Sequence, residues 1–127
     1  KDTLWNEDGT PIDLITWKDG EMHGEYVNWH SNGNKRCEYH YQDGKPHGVC
    51  ILWHENGQKE THSNYEYGKR EGKTMGWYEN GQIQYEDNYE DGLLNGYSVS
   101  FRENGSKRKE ENYKHGFCWN RTNHVEG

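Results

Sequence analysis

Residues 53–59 read WHENGQK, and nearly the same phrase stands at 29–35 (WHSNGNK), 77–83 (WYENGQI) and 101–107 (FRENGSK). Trp29, Trp53, Trp77 and Phe101 follow one another at intervals of 24 residues, and Trp5 extends the series backwards. Working outward, Gly9, Gly33, Gly57, Gly81 and Gly105 come four residues after each leading aromatic. Trp17, Tyr41, Tyr65, Tyr89 and Tyr113 come twelve after it, and Gly20, Gly44, Gly68, Gly92 and Gly116 follow. A closing Gly24, Gly48, Gly72 and Gly96 completes the pattern until Asn120 breaks it. A fixed period without insertion or deletion is the signature of a repeat array. The units are about 1–24, 25–48, 49–72, 73–96 and 97–120, with 121–127 as a tail, all in one domain.

Each unit reads as a β-hairpin. Val27 with Trp29, Ile51 with Trp53, Met75 with Trp77, and Val99 with Phe101 alternate at period two, as a half-buried strand requires. Asn-Gly then signals a hairpin turn. A second strand runs to the Tyr, and Asp-Gly with the closing Gly marks a longer turn into the next unit. A three-residue loop at Glu55-Asn56-Gly57, with Gly57 left-handed, pairs Trp53 with Lys59, Ile51 with Thr61 and Met75 with Tyr85. That register gathers Val27, Trp29, Cys37, Tyr39, Tyr41, Ile51, Trp53, Tyr65, Met75, Trp77, Tyr85 and Tyr89 on one face, where a slip would expose them. The expected fold is all-β: an elongated single antiparallel sheet of about five hairpin repeats, a β-meander solenoid stabilised by unit and neighbour terms.

Composition agrees. Leu, Ile, Val and Phe make up only about 12% of the chain, and the net charge is −7, a balance typical of disorder. The 6 Trp and 10 Tyr in strict register override that inference. No Ala and 16 Gly argue against helices. No run is long and apolar enough for a membrane span, and no signal peptide is visible. The acidic balance disfavours nucleic acid and anionic membrane surfaces and fits a basic protein partner. Three cysteines without metal-like spacing read as free thiols in a reducing, cytoplasmic compartment. Cys37 and Cys50 are expected on opposite faces, which forbids a disulfide.

The unit W-x-E-N-G-Q, then Tyr, Asp-Gly and Gly, resembles the MORN-repeat variant, in the version found in bacterial and phage YwqK-like antitoxins. The resemblance covers residues 1–120 or so. It implies an elongated sheet of hairpins serving as a non-catalytic binding scaffold, with a polymorphic toxin as the antitoxin's partner.

Candidate chemistry is sparse. His23 with His47, and His30 with His54, share repeat positions, but no quartet has zinc-ligand spacing. Glu55, Glu79 and Glu103 are repeat letters beside turns, whereas a catalytic pair needs one desolvated place. No nucleophile elbow, phosphate loop or cofactor motif is present, so neither an enzyme nor a cofactor is expected. The aromatic row, Trp29, Tyr39, Tyr41, Trp53, Tyr65, Trp77, Tyr85 and Tyr89, is either the packed core of the stack or a groove that grips a partner. Leu93 and Leu94 replace Lys45-Pro46 and Lys69-Arg70 of sister units. With the atypical first unit (Asp8-Gly9, Ile12, Leu14, Ile15) they mark either end-capping or a partner or homodimer contact. A carbohydrate- or choline-binding aromatic array and a self-assembling spacer are the alternatives to protein binding.

Overall fold

The computed structural model describes residues 2–5, 7, 9 and 11–125. The Asp8 half of the first turn and the side chain of Ile12 lie outside them. The described chain is one antiparallel sheet. Its long strands are β1 (Asp2–Trp5), β2 (Pro11–Lys18), β3 (Glu21–Trp29), β4 (Lys35–Gln42), β6 (Gly48–Trp53), β7 (Lys59–Glu66), β9 (Gly72–Trp77), β10 (Ile83–Glu90), β12 (Gly96–Phe101), β13 (Lys107–Lys114) and β14 (Phe117–Asn123). They lie side by side in chain order. Three two-residue strands, β5 (Lys45–Pro46), β8 (Lys69–Arg70) and β11 (Leu93–Leu94), flank β4, β7 and β10. Closely packed strands are all hydrogen-bonded neighbours, so the described chain forms a single layer.

The Asn-Gly turn has the expected three-residue loop. His54 N–H donates to Gln58 O (2.8 Å), Gly57 N–H donates to His54 O (3.0 Å), and Gly57 takes φ +90°, where an L side chain would strain. Trp53 accordingly pairs with Lys59. One step further the register departs from the sequence reading: Leu52 pairs with Thr61 and Ile51 with His62, leaving Glu60 as an extra residue. Arg36, Gln84 and Arg108 are the equivalent extra residues in sister hairpins. A bulge next to the loop places two consecutive residues against one partner and shifts every pair beyond it by one. Met75 therefore pairs with Glu86, and Tyr85 pairs with Gly76.

That slip reverses the expected face. Residues paired directly share a side of the sheet. Tyr26, paired with Tyr39, and Gly24, paired with Tyr41, lie opposite Val27, which pairs with Glu38. Alternation along their own strands puts Trp29, Trp53 and Trp77 with Val27, Ile51 and Met75. The sheet thus has a tyrosine face and a tryptophan face, and the single aromatic row is not formed. Both faces bury side chains among neighbouring strands: Val27 and Val99 are 2% and 4% exposed, and Cys37 and Cys50 are 6% and 5% exposed. Burying a valine at that level contributes roughly 1.5–2 kcal/mol.

The Asp-Gly connection is tighter than the long turn expected. Asp43 (φ +51°) and Gly44 (φ +80°) form a two-residue turn with Gln42 paired to Lys45. Two positive φ values match the right-handed twist of the flanking strands. The chain then breaks step at His47, whose N–H still donates to His40 O (2.8 Å).

Side chains stitch one unit to the next. Asn32, Asn56 and Asn80 donate from Nδ2 to Glu55 O (2.7 Å), Glu79 O (2.8 Å) and Glu103 O (3.2 Å). His30 and His54 bond through Nε2 to Trp53 O (2.9 Å) and Trp77 O (2.8 Å), and Tyr78 Oη donates to Phe101 O (2.7 Å). On the other edge, Nδ1 of His47 accepts from Tyr67 N–H (3.2 Å), Glu71 accepts from Asp91 N–H (2.8 Å) and Asn95 accepts from His115 N–H (3.0 Å). The recurring Asn and His letters therefore satisfy main-chain groups of the next unit, which is why they recur.

At the C-terminal end Asn120 replaces the closing glycine, and β14 carries one extra residue, Trp119, where other units carry two. The last strand is thereby shifted by one against the repeat, and it leaves Phe117 71% and Trp119 61% exposed.

Candidate binding face

The expected site residues divide between the two faces. Tyr39, Tyr41, Tyr65, Tyr85 and Tyr89 come together on the tyrosine face, and Leu94 joins them through its pairing with Tyr89. Trp29, Trp53 and Trp77 lie on the other side, half-buried, with Lys35 Nζ 5.7 Å from the centre of the Trp53 ring. Leu93 pairs with Glu90, also on that side, and its side chain reaches the Gly116 turn of the next unit. Leu93 and Leu94 thus do not form one patch.

On the tyrosine face, Tyr26, Tyr39 and Tyr41 form a triangle of rings with centres 6.2–6.5 Å apart. With Arg36, Cys37, Leu52 and Glu60 they line an open pocket of about 480 Å³. Arg36 and Glu60 reach this face because they are bulge residues, which no motif in the sequence announces. Further along the face, Arg70 Nε donates to Tyr65 Oη (3.3 Å), and its Nη1 donates to Tyr89 Oη (3.1 Å). The guanidinium also lies 5.4 Å from the centre of the Tyr89 ring, within cation–π range. Arg70 is not singled out by the sequence reading. Its one signal is that the equivalent positions hold Met22, Pro46, Leu94 and Cys118.

Burial pushes the hydroxyls of Tyr26, Tyr39, Tyr41 and Tyr85 upward, and pushes the thiols of Cys37 and Cys50 the same way. These groups move away from neutrality, so they remain protonated hydrogen-bonding groups and supply no ready nucleophile. Cys37 and Cys50 occupy the same face, since Cys37 pairs with Leu52, two residues from Cys50. The expectation of opposite faces is corrected, for the same bulge reason. Both are free thiols, and a diagonal placement of this kind sets Cα atoms about 7–8 Å apart, too far for an unstrained bridge. Among the described residues no group of three or more His, Cys, Asp or Glu is placed to hold a metal ion, and no helix is long and apolar enough to cross a membrane.

A single-layer meander of hairpins stitched at a 24-residue period, with tyrosines gathered on one face and tryptophans on the other, defines a repeat-array class of protein. Comparison with protein families places it more closely: the MORN repeat variant model matches residues 22–43, 46–67 and 70–91, more than half of the chain. The chain belongs to that family, whose repeats are in general non-catalytic modules. No curated protein matches the sequence.

Proposed function

We propose that the protein is a non-catalytic scaffold that binds a protein partner on its tyrosine face. One observation carries this reading: half-buried phenols and an anchored arginine line one side of a sheet over which no second layer of the described chain packs. Tyr and Arg are, with Trp, the residue types enriched among binding hot spots, and the tyrosine face combines the first two, large contact area with few rotors beside a fixed donor fork. Acidic groups occupy the turns along the edges of the sheet, among them Asp43, Glu55, Glu79, Asp91 and Glu103, all exposed. They supply a rim that steers a basic partner. The antitoxin role that the resemblance implies is the sharper form of this reading, with a basic toxin as the partner. A choline-type ligand is disfavoured, since a guanidinium already occupies the space between Tyr65 and Tyr89 and repels a second cation.

The test is affinity capture from the native host with matched variants. A specific protein retained by the native chain, released by salt, lost from Tyr65→Ser/Tyr89→Ser and kept by Trp53→Ser supports the reading. Loss through the tryptophan-face variant alone overturns it.

A further inference from the structure

The column of residues five after each repeat aromatic (Trp17, Tyr41, Tyr65, Tyr89 and Tyr113) contains Met22, Pro46, Arg70, Leu94 and Cys118. Each is paired across the Asp-Gly turn with its aromatic: Trp17 with Met22, Tyr41 with Pro46, Tyr65 with Arg70, Tyr89 with Leu94, and Tyr113 with Cys118. The array thus supplies its own controls. Four units place an uncharged side chain here, and one places a guanidinium. Stacking of units does not require that charge.

Arg70 is exposed and held in one orientation. Its Nε is bonded to Tyr65 in its own unit, its Nη1 to Tyr89 in the next, and its plane lies near the Tyr89 ring. These acceptors are neutral phenols. Among the described residues no carboxylate lies within ion-pair distance, and Nη2 has no acceptor. A fixed cation without a counter-charge is what distinguishes this site from surface pairs such as Lys73–Glu86 (2.9 Å) or Lys69–Asp91 (3.8 Å). Guanidinium forks pair bidentately with carboxylate and phosphate oxygens, the surrounding acidic turns disfavour the more highly charged phosphate, and prior fixation by hydrogen bonds lowers the ordering cost of binding.

From this geometry we infer that Arg70, propped by Tyr65 and Tyr89, is a carboxylate-recognition point on the tyrosine face, which takes a single Asp, Glu or C-terminal carboxylate of the otherwise basic partner. The inference rests on the proposed binding face and adds its specificity element. The acidic rim and the fixed cation are then complementary devices: the rim guides a basic partner in, and the cation demands one acid of it.

The probe is N-acetyl-L-phenylalanine, which carries an aromatic ring and a free carboxylate, titrated into the full chain against its neutral amide and against inorganic phosphate. The readouts are the Arg70 Nε–H resonance and the ring resonances of Tyr65 and Tyr89. The carboxylate should shift all three saturably, the amide should leave Arg70 unmoved, and phosphate should bind more weakly than the carboxylate. Arg70→Leu restores the residue that the next unit carries at Leu94, so it should fold, as its melting curve would verify. It should weaken carboxylate binding by about tenfold or more. Arg70→Lys, which keeps the charge and loses the fork, should bind the carboxylate more weakly than the native chain. An equal response to the amide, tighter phosphate binding, or unchanged carboxylate binding in either variant overturns the inference. A partner protein that still binds Arg70→Leu at full strength but is lost from Tyr65→Ser/Tyr89→Ser would leave the binding face standing and remove only the carboxylate point.

Discussion

Replacing Gly76 with alanine should destabilise the protein, against the usual expectation for glycine in a strand. An interior strand glycine ordinarily costs about 0.5–1 kcal/mol relative to alanine, so the substitution should help if only the backbone mattered. In this structure the Tyr85 ring lies directly on the glycine. A Cβ at position 76 would sit 2.3 Å from Tyr85 Cε1, 2.7 Å from Cζ and 2.8 Å from Cδ1. The ring would have to retreat by about 1 Å or more to reach an ordinary contact of 3.4–4 Å. Overpacking of this kind costs about 1–3 kcal/mol, and a demanded shift of about 1 Å in an aromatic ring puts it above the low end of that range, for a net loss centred on about 1 kcal/mol after the backbone gain. For a chain of this length that lowers the melting temperature by about 3–6 °C per kcal/mol. The sister unit offers a rescue, because the paired positions there are Leu52 and Thr61, large over small instead of small over large. Gly76→Leu with Tyr85→Thr should recover most of what Gly76→Leu alone loses, a coupling of about 1–3 kcal/mol in a double-mutant cycle. Urea unfolding followed by tryptophan fluorescence reads each variant. A stabilised or neutral Gly76→Ala, or strictly additive changes in the cycle, would refute the Tyr85-on-Gly76 packing and with it the bulged register.

Asn56→Asp keeps the acceptor for Gln58 N–H (3.0 Å) but removes the donor to Glu79 O (2.8 Å), so it should cost about 1 kcal/mol and speed amide exchange on both sides of that unit junction while the turn itself survives. Tyr67 stands at φ +50°, where sister units hold Asp19, Asp43, Asp91 and His115; Tyr67→Asn should raise stability by about 0.5–1 kcal/mol in thermal melts. Glu110 accepts from Tyr97 Oη (2.5 Å), contacts His124 Nε2 (2.6 Å) and pairs with Lys107 Nζ (3.1 Å), and these partners hold its carboxyl at about 2. The unfolded value is about 4.3, so its stabilisation is present above that pH and is lost as the pH falls toward 2; Glu110→Gln should flatten acid unfolding of the last hairpin in that window, read by amide exchange. Iodoacetamide should label the half-buried Cys118 of the native protein before Cys37 and Cys50, whose thiols are buried and pushed upward; equal labelling of all three by mass spectrometry would contradict that burial.

The array, its hairpins and the left-handed glycine of the Asn-Gly loop were legible because each has a local cause. Gly57 needs a positive φ, Asn-Gly closes the loop, and period-two alternation marks Ile51 and Trp53 as one side of a strand. The face was not legible because the bulge at Glu60 has no residue signature. The same position holds Arg36, Gln84 and Arg108 in sister units. Collecting every apolar residue on one side is sound for a sheet with a dry face, but this one packs side chains on both of its faces, Val27 on one and Cys37 on the other. Tyr39, Tyr41, Tyr65, Tyr85 and Tyr89 kept a common face despite that error because they stand on one type of strand. The tryptophans stand on the other type and moved with its register. Arg70 was hidden for a different reason: within a repeat it looks like one more charged letter, and only its three-dimensional company of neutral phenols makes it unusual.

The bonds from Asn32, Asn56 and Asn80, and those from His30, His54 and Tyr78, all run forward to a carbonyl 23 residues on. A gene encoding such a chain can lengthen or shorten at low cost only in whole multiples of 24 codons, since any other step strands the donors of the affected junction beside the wrong acceptors. Copy number is then the variable easiest for evolution to adjust, and the lone guanidinium is the kind of mark by which one copy acquires an identity among its duplicates.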